Sequence, residues 1–148
     1  MKKWGKFFRV TAKIRIAKEP PTGGAQNIMH FTRGEDNSKY GDRVPKVSFS
    51  QQKFIVASSI NGNSNHLLES EPLESDKTYD LVIEQSMKED GKIHYEIKVN
   101  GEVIHSEVNT DAQDFDNVHV YVASPFSTPF STEYGRLESL EWTQLQGF

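Results

Sequence analysis

The segment YDLVIEQSMKEDGKIHYEIKVNGEVIHS, Tyr79 to Ser106, reads as three successive antiparallel strands, the last two joined at Asn100-Gly101. An Asn-Gly pair between alternating runs marks a two-residue type I′ hairpin, because both turn positions need positive φ. Centring the turn there sets Val99 opposite Glu102, Ile97 opposite Ile104 and Tyr95 opposite Ser106. One face then carries Ile93, Tyr95, Ile97, Val99, Ile104 and Val108, and the other carries His94, Glu96, Lys98, His105 and Glu107. Such two-sidedness belongs to a sheet packed on one face and wet on the other.

Working outward, Phe8, Val10, Ala12, Ile14 and Ile16 alternate with Arg9, Thr11, Lys13 and Arg15, which predicts a half-buried first strand with a basic outer row. Arg9, Lys13 and Arg15 break what would otherwise be the apolar core of a signal peptide. Asn27–Thr32, Val47–Ser50 and Phe54–Ser58 read as short strands, the last two paired through Gln51-Gln52. Asn61-Gly62 marks either a second hairpin turn or a binding loop. Leu67 to Lys77 is acidic and is interrupted by Pro72. Val118, Val120 and Val122 alternate with His119 and Tyr121, and Gly135 opens a final strand with Leu140 and Trp142 pointing inward. No segment shows a 3.6-residue apolar period. Short strands separated by turn clusters predict an all-β, two-layer antiparallel sandwich in a single domain, 1–148.

The 148 residues are 35% apolar and 26% charged, with a net charge of −4. That balance argues against nucleic acid as the partner, since phosphate binding needs clustered positive charge. The lack of cysteine removes thiolate chemistry and cysteine-bound zinc. No apolar run approaches the roughly 18 residues of a transmembrane helix.

FFRVTAKIRI, NIMHFT with VPKVSF, YDLVIEQ with GKIHYEIKVNGEVI, and VHVYVASP with GRLESLEW resemble, in that order, strands of the concanavalin A-like jelly-roll superfamily. The likeness is strongest to laminin G-like domains and extends to pentraxins and galectins. It implies two sheets, one of them concave, an extracellular setting, and a glycan or protein ligand. The galectin sugar-binding elements His-x-Asn-Pro-Arg and Trp-Gly-x-Glu are missing, and His30-Phe31-Thr32-Arg33 is only a partial echo.

Three constellations bear on function. Glu69, Glu71 and Glu74 have the spacing of the acids in concanavalin A-like glucanases, whose carboxyl groups flank the bond about 5–5.5 Å apart. Pro72 and the absence of strand alternation reject that reading, and the chain is expected to be non-catalytic. Calcium takes six to eight hard oxygens, and Asp36, Asn37 and Asp42 (with Glu35) offer a loop site of the kind laminin G-like domains use. Asn109, Asp111, Asp114, Asp116 and Asn117 form a second acidic loop. On the predicted wet face Glu96 opposes His105 and His94 opposes Glu107, a ladder of charge pairs whose residue types zinc also accepts.

Recognition is expected at the loop rim. Asn61, Asn63, Asn65 and His66 carry groups that hydrogen-bond hydroxyls, while Phe126, Phe130 and Tyr134 offer rings to stack on a sugar or, alternatively, fold back as a lid. The basic row Arg9, Lys13, Arg15 and Lys18 is expected to pair with Glu138 and Glu141. Together these features predict a recognition module for glycan or an extracellular partner, or alternatively an adhesion domain of a larger protein.

Overall fold

A computed structural model describes residues 3–18, 24–36, 39–122 and 128–145. The strands in chain order are β1 (Lys3–Trp4), β2 (Phe8–Ile16), β3 (Gln26–Thr32), β4 (Lys46–Ser50), β5 (Lys53–Ile60), β6 (Asn63–Glu69), β7 (Lys77–Met87), β8 (Ile93–Val99), β9 (Glu102–Val108), β10 (Phe115–Asp116), β11 (His119–Val122) and β12 (Gly135–Gln144). Two antiparallel five-stranded sheets, β11-β3-β4-β5-β6 and β12-β2-β7-β8-β9, stack face to face, with β1-β10 as a short ribbon. The architecture is an all-β jelly-roll sandwich.

Strand alternation builds the core. Val10, Ile14, Ile16, Leu81, Ile83, Tyr95 and Ile97 from one sheet meet Met29, Phe31, Val47, Phe49, Phe54 and Val56 from the other. Phe54 on β5 stands edge-on to Tyr79 on β7 at 6.0 Å, and Phe31 on β3 edge-on to Trp142 on β12 at 5.6 Å. Trp142 points inward as expected but stays 42% exposed on its edge strand.

Three hairpins close through pairs with both φ positive: Gln51-Gln52 (52° and 61°), Asn61-Gly62 (54° and 77°) and Asn100-Gly101 (51° and 81°). Asn61-Gly62 is therefore a turn, not a free binding loop, and the strand that follows it, β6, was missing from the sequence expectation. Its inward positions are Ser64, His66 and Leu68, two of them polar, so no apolar period marks it. Asn100 also accepts the Asp80 amide through its side chain at 2.8 Å, fixing the β8–β9 turn against β7.

The β8–β9 register begins as predicted, with Val99 opposite Glu102, and then shifts. Lys98 opposes Val103 and Ile97 opposes His105, so Ile104 is the extra residue of a β-bulge. The expected pairs Ile97–Ile104, Glu96–His105 and His94–Glu107 are replaced by Ile97–His105, Glu96–Ser106 and His94–Val108. One inserted residue exchanges the faces beyond it, and His105 and Glu107 join the side of Ile97 and Tyr95. Glu96 pairs instead with Lys88 at 2.8 Å, and His94 with Asp90 at 2.8 Å.

The last strand does neighbour the first, but the basic row finds other partners. Arg9 meets Glu84 of β7 at 2.6 Å, Arg15 meets Asp76, and Lys18 meets Glu133. Glu138 sits at the β12 irregularity and pairs with Arg136.

The bulge makes Ile97 and Ile104 unequal, at 0% and 36% exposure. Ile97→Ala is expected to destabilise by about 2–5 kcal/mol and Ile104→Ala by less than about 1 kcal/mol. The shift in urea midpoint at unchanged m-value measures both, and equal losses would contradict the bulged register.

Candidate functional site

Because Val47 and Met29 point into the core, their neighbours Lys46 and His30 lie on the outer face of the β11-β3-β4-β5-β6 sheet. His30 and Lys46 are directly opposed across β3 and β4, and Tyr121 of β11 opposes His30 on its other side. The loop between β3 and β4 delivers Asp36 and Arg43 to the same place. Asp36 accepts from Arg43 Nε at 2.7 Å through one oxygen and from Lys46 Nζ at 2.7 Å through the other. Arg43 Nη1 reaches on to Asn65 Oδ1 of β6. A polar network thus crosses the outer face of the sheet beneath the β3–β4 loop, flanked by the stacked His119 and Tyr121 rings, 6.2 Å apart, and by exposed Leu67.

The network is held in place by burial and directed bonds. The His30 ring is fully covered, and its Nε2–H donates to the Asp42 carbonyl at 2.6 Å. Burial pulls the imidazole below its ordinary pKa, although the Asp42 carbonyl and the Asp36 carboxylate pull the other way. Burial also opposes ionisation of Asp36, but its hydrogen bonds to Arg43 and Lys46 outweigh that and hold the carboxyl below its usual range. The result is a fixed set of charged donors around one carboxylate, with Lys46 and Asp36 largely buried and Arg43 23% exposed at the network's edge.

The rim residues expected to bind together are dispersed by their elements. Asn61 binds the Thr110 amide and hydroxyl through its side chain, tying the β5–β6 turn to the loop after β9. Asn63 accepts the Asn65 amide locally. Asn65 reaches the outer-face network, whereas His66, one residue on, turns to the inner side opposite Ser58. Phe130 folds back onto Phe49 at 5.7 Å, the lid alternative, and its ring lies where a Cβ on Gly135 would clash. Tyr134 receives Lys18 over its ring at 5.6 Å. Phe126 lies outside the described residues.

Of the expected calcium ligands, the structure describes Asp36 and Asp42. Asp36 directs its oxygens to Arg43 and Lys46, and Asp42 accepts from Arg33 Nε at 3.2 Å. Asn37 lies outside the described residues. The second acidic loop is turn chemistry: Asn109 accepts the amides of Asn61 and Asp111, and Asp114 accepts that of Lys6. Glu69, Glu71 and Glu74 do not line one strand, since β6 ends at Glu69 and Glu74 pairs with Lys77 in the following loop.

No family model and no curated protein matches the chain by sequence. Solved structures do match by shape. A variant of human galectin-16 superposes with a TM-score of 0.55 at 16% identity, over 97% of this chain and 93% of that one. The carbohydrate-binding module CBM66 from Bacillus subtilis gives 0.53 at 12% identity, covering 95% and 76%. The alginate lyase AlgAT5, of polysaccharide lyase family 7, gives 0.59 at 12% identity, covering 97% of this chain and 63% of the lyase. The fold is the concanavalin A-like jelly roll. Among the described residues no helix is long and apolar enough to cross a membrane.

Sequence reading missed Arg43, Lys46 and Tyr121 as site residues. Lys46 and Tyr121 were legible as the outward members of alternating strands flanking His30, but Arg43 needed the loop geometry.

Stability is expected to fall on acidification below about pH 6.5. With the folded His30 pKa below its unfolded value, the unfolded chain binds more protons as pH drops, so stability present above the unfolded pKa is lost towards the folded one. Asp36 has the same sign at lower pH, losing its contribution below the ordinary carboxylate range. Melting temperature recorded from pH 8 to 4 measures this, and His30→Gln should flatten the upper part of the curve.

Proposed function

We propose that this chain is a non-catalytic recognition module that binds glycan on the outer face of the β11-β3-β4-β5-β6 sheet. The observation that carries this reading is the Asp36–Arg43–Lys46 network braced on the outer face of the sheet beside Tyr121. Arg43, the most exposed of these charges at 23%, is held in a fixed direction, which suits a sugar hydroxyl because little rotamer freedom is lost on binding. A ring at the flank supplies an apolar face for stacking. The galectin and carbohydrate-binding-module likenesses support the reading at the level of fold, and the lyase likeness shows that the same fold also serves an enzyme.

Glycan-array binding followed by titration calorimetry tests it. Arg43→Ala is expected to weaken the best glycan about 10–100-fold, the loss of one or two charge-assisted hydrogen bonds. Tyr121→Ala should weaken it about tenfold, while Lys98→Ala on the other sheet leaves it unchanged. Absence of glycan binding together with capture of a protein through exposed Leu67 would favour the adhesion-domain reading.

A further inference from the structure

The edges of the two sheets meet at β6 and β9, and the side chains that meet there are two imidazoles and a carboxylate. His66 Nε2 lies 2.6 Å from Glu107 Oε1, and His105 Nε2 lies 3.1 Å from the same oxygen. All three ligand atoms fall within 4.8 Å of one another. Each of these atoms is shielded from solvent, and none makes a properly directed hydrogen bond despite the short separations. The ring centroids are 6.2 Å apart, with the nitrogens converging on one point from opposite sheets.

We propose that His66, His105 and Glu107 form a binding site for a zinc-type divalent cation that clamps the two sheet edges together. Four-coordinate zinc binds nitrogen and oxygen at about 2.0–2.2 Å, which places neighbouring ligand atoms about 3.3 Å apart. The two distances to Glu107, 2.6 and 3.1 Å, lie just below that spacing, so the Glu107 oxygen moves outward as a metal enters. Imidazole with carboxylate selects zinc over calcium or magnesium, which prefer all-oxygen shells. Three protein ligands leave a fourth position for water or an external donor.

The backbone supplies the support a metal site requires. His66 is opposite Ser58 and Glu107 is opposite Tyr95, and the Ser58 and Tyr95 hydroxyls are bonded to each other across the sandwich. The bulge at Ile104 is what brings His105 and Glu107 to the inner side at all. In an unbulged hairpin they would point away from β6.

The test uses the full chain, stripped with a chelator and titrated with zinc chloride. One equivalent is expected to bind with a Kd of micromolar or tighter. At a hundredfold excess over Kd the melting temperature should rise by about 5–10 °C. Calcium chloride at the same concentration should leave it unchanged. Cobalt substitution of the unaltered chain should give the intense visible absorption of a four-coordinate site, a readout that needs no variant. His66→Gln, His105→Gln and Glu107→Gln should each weaken zinc at least tenfold, with far-ultraviolet dichroism confirming the fold, while His94→Gln and His119→Gln should not. Lack of stoichiometric binding by the unaltered chain would overturn the proposal, as would full binding retained in all three variants.

Discussion

Everything in this structure depends on the inward rows of two five-stranded sheets excluding water from each other. The backbone of each strand is satisfied within its own sheet, so stacking is left to the side chains. Phe31, Phe49, Phe54, Tyr95 and Ile97 are essentially without solvent contact. At roughly 25 cal/mol per Å² of apolar surface, each such ring or branched chain contributes on the order of 1.5–3 kcal/mol. The period of two then fixes the direction of every other residue. A strand that must bury Val47 and Phe49 has no choice but to present Lys46 and Ser48 outward.

That constraint explains why a stretch as short as Asn65-His66 serves two separate places. Asn65 joins Arg43 on the outer face, and His66 faces His105 and Glu107 on the inner side. Grouping them by proximity in sequence places them in one loop site, which is natural only if they belong to a loop. Once they are on a strand, adjacency in sequence means separation in space. The same reasoning separates His105 from Glu96, which a regular hairpin would have made neighbours.

The parts of the fold legible in the sequence are those where propensity, alternation and turn chemistry agree. β2 was delimited at Phe8–Ile16 because five apolar residues alternate with polar ones, and the Asn-Gly hairpin because only positive φ suits its turn. β6 escaped because Ser64 and His66 occupy inward positions at an edge, where a polar residue can find a partner across the seam. The bulge escaped because EVIHSEV alternates equally well with or without an extra residue. Its position follows from long-range contact, here the meeting of β9 with β6. The central site was half visible: Asp36 and Asn65 were named as candidates, for calcium and for a ligand, but their joint arrangement depends on a loop returning Arg43 to the sheet.

β6 is held in an unusual way for an edge strand. Leu68 is its one side chain packed on the core, and the rest of its grip is polar on both faces: Arg43 to Asn65 outside, and His66 to His105 and Glu107 inside. Polar contacts of this kind are individually weak at a surface. The edge also forms one border of the outer-face network, through Asn65. A cation at the proposed site, fixing His66 against β9, would restrict the backbone that carries Asn65 and so reduce the freedom lost when the proposed ligand settles on the outer face. By linkage, such a coupling would run in both directions.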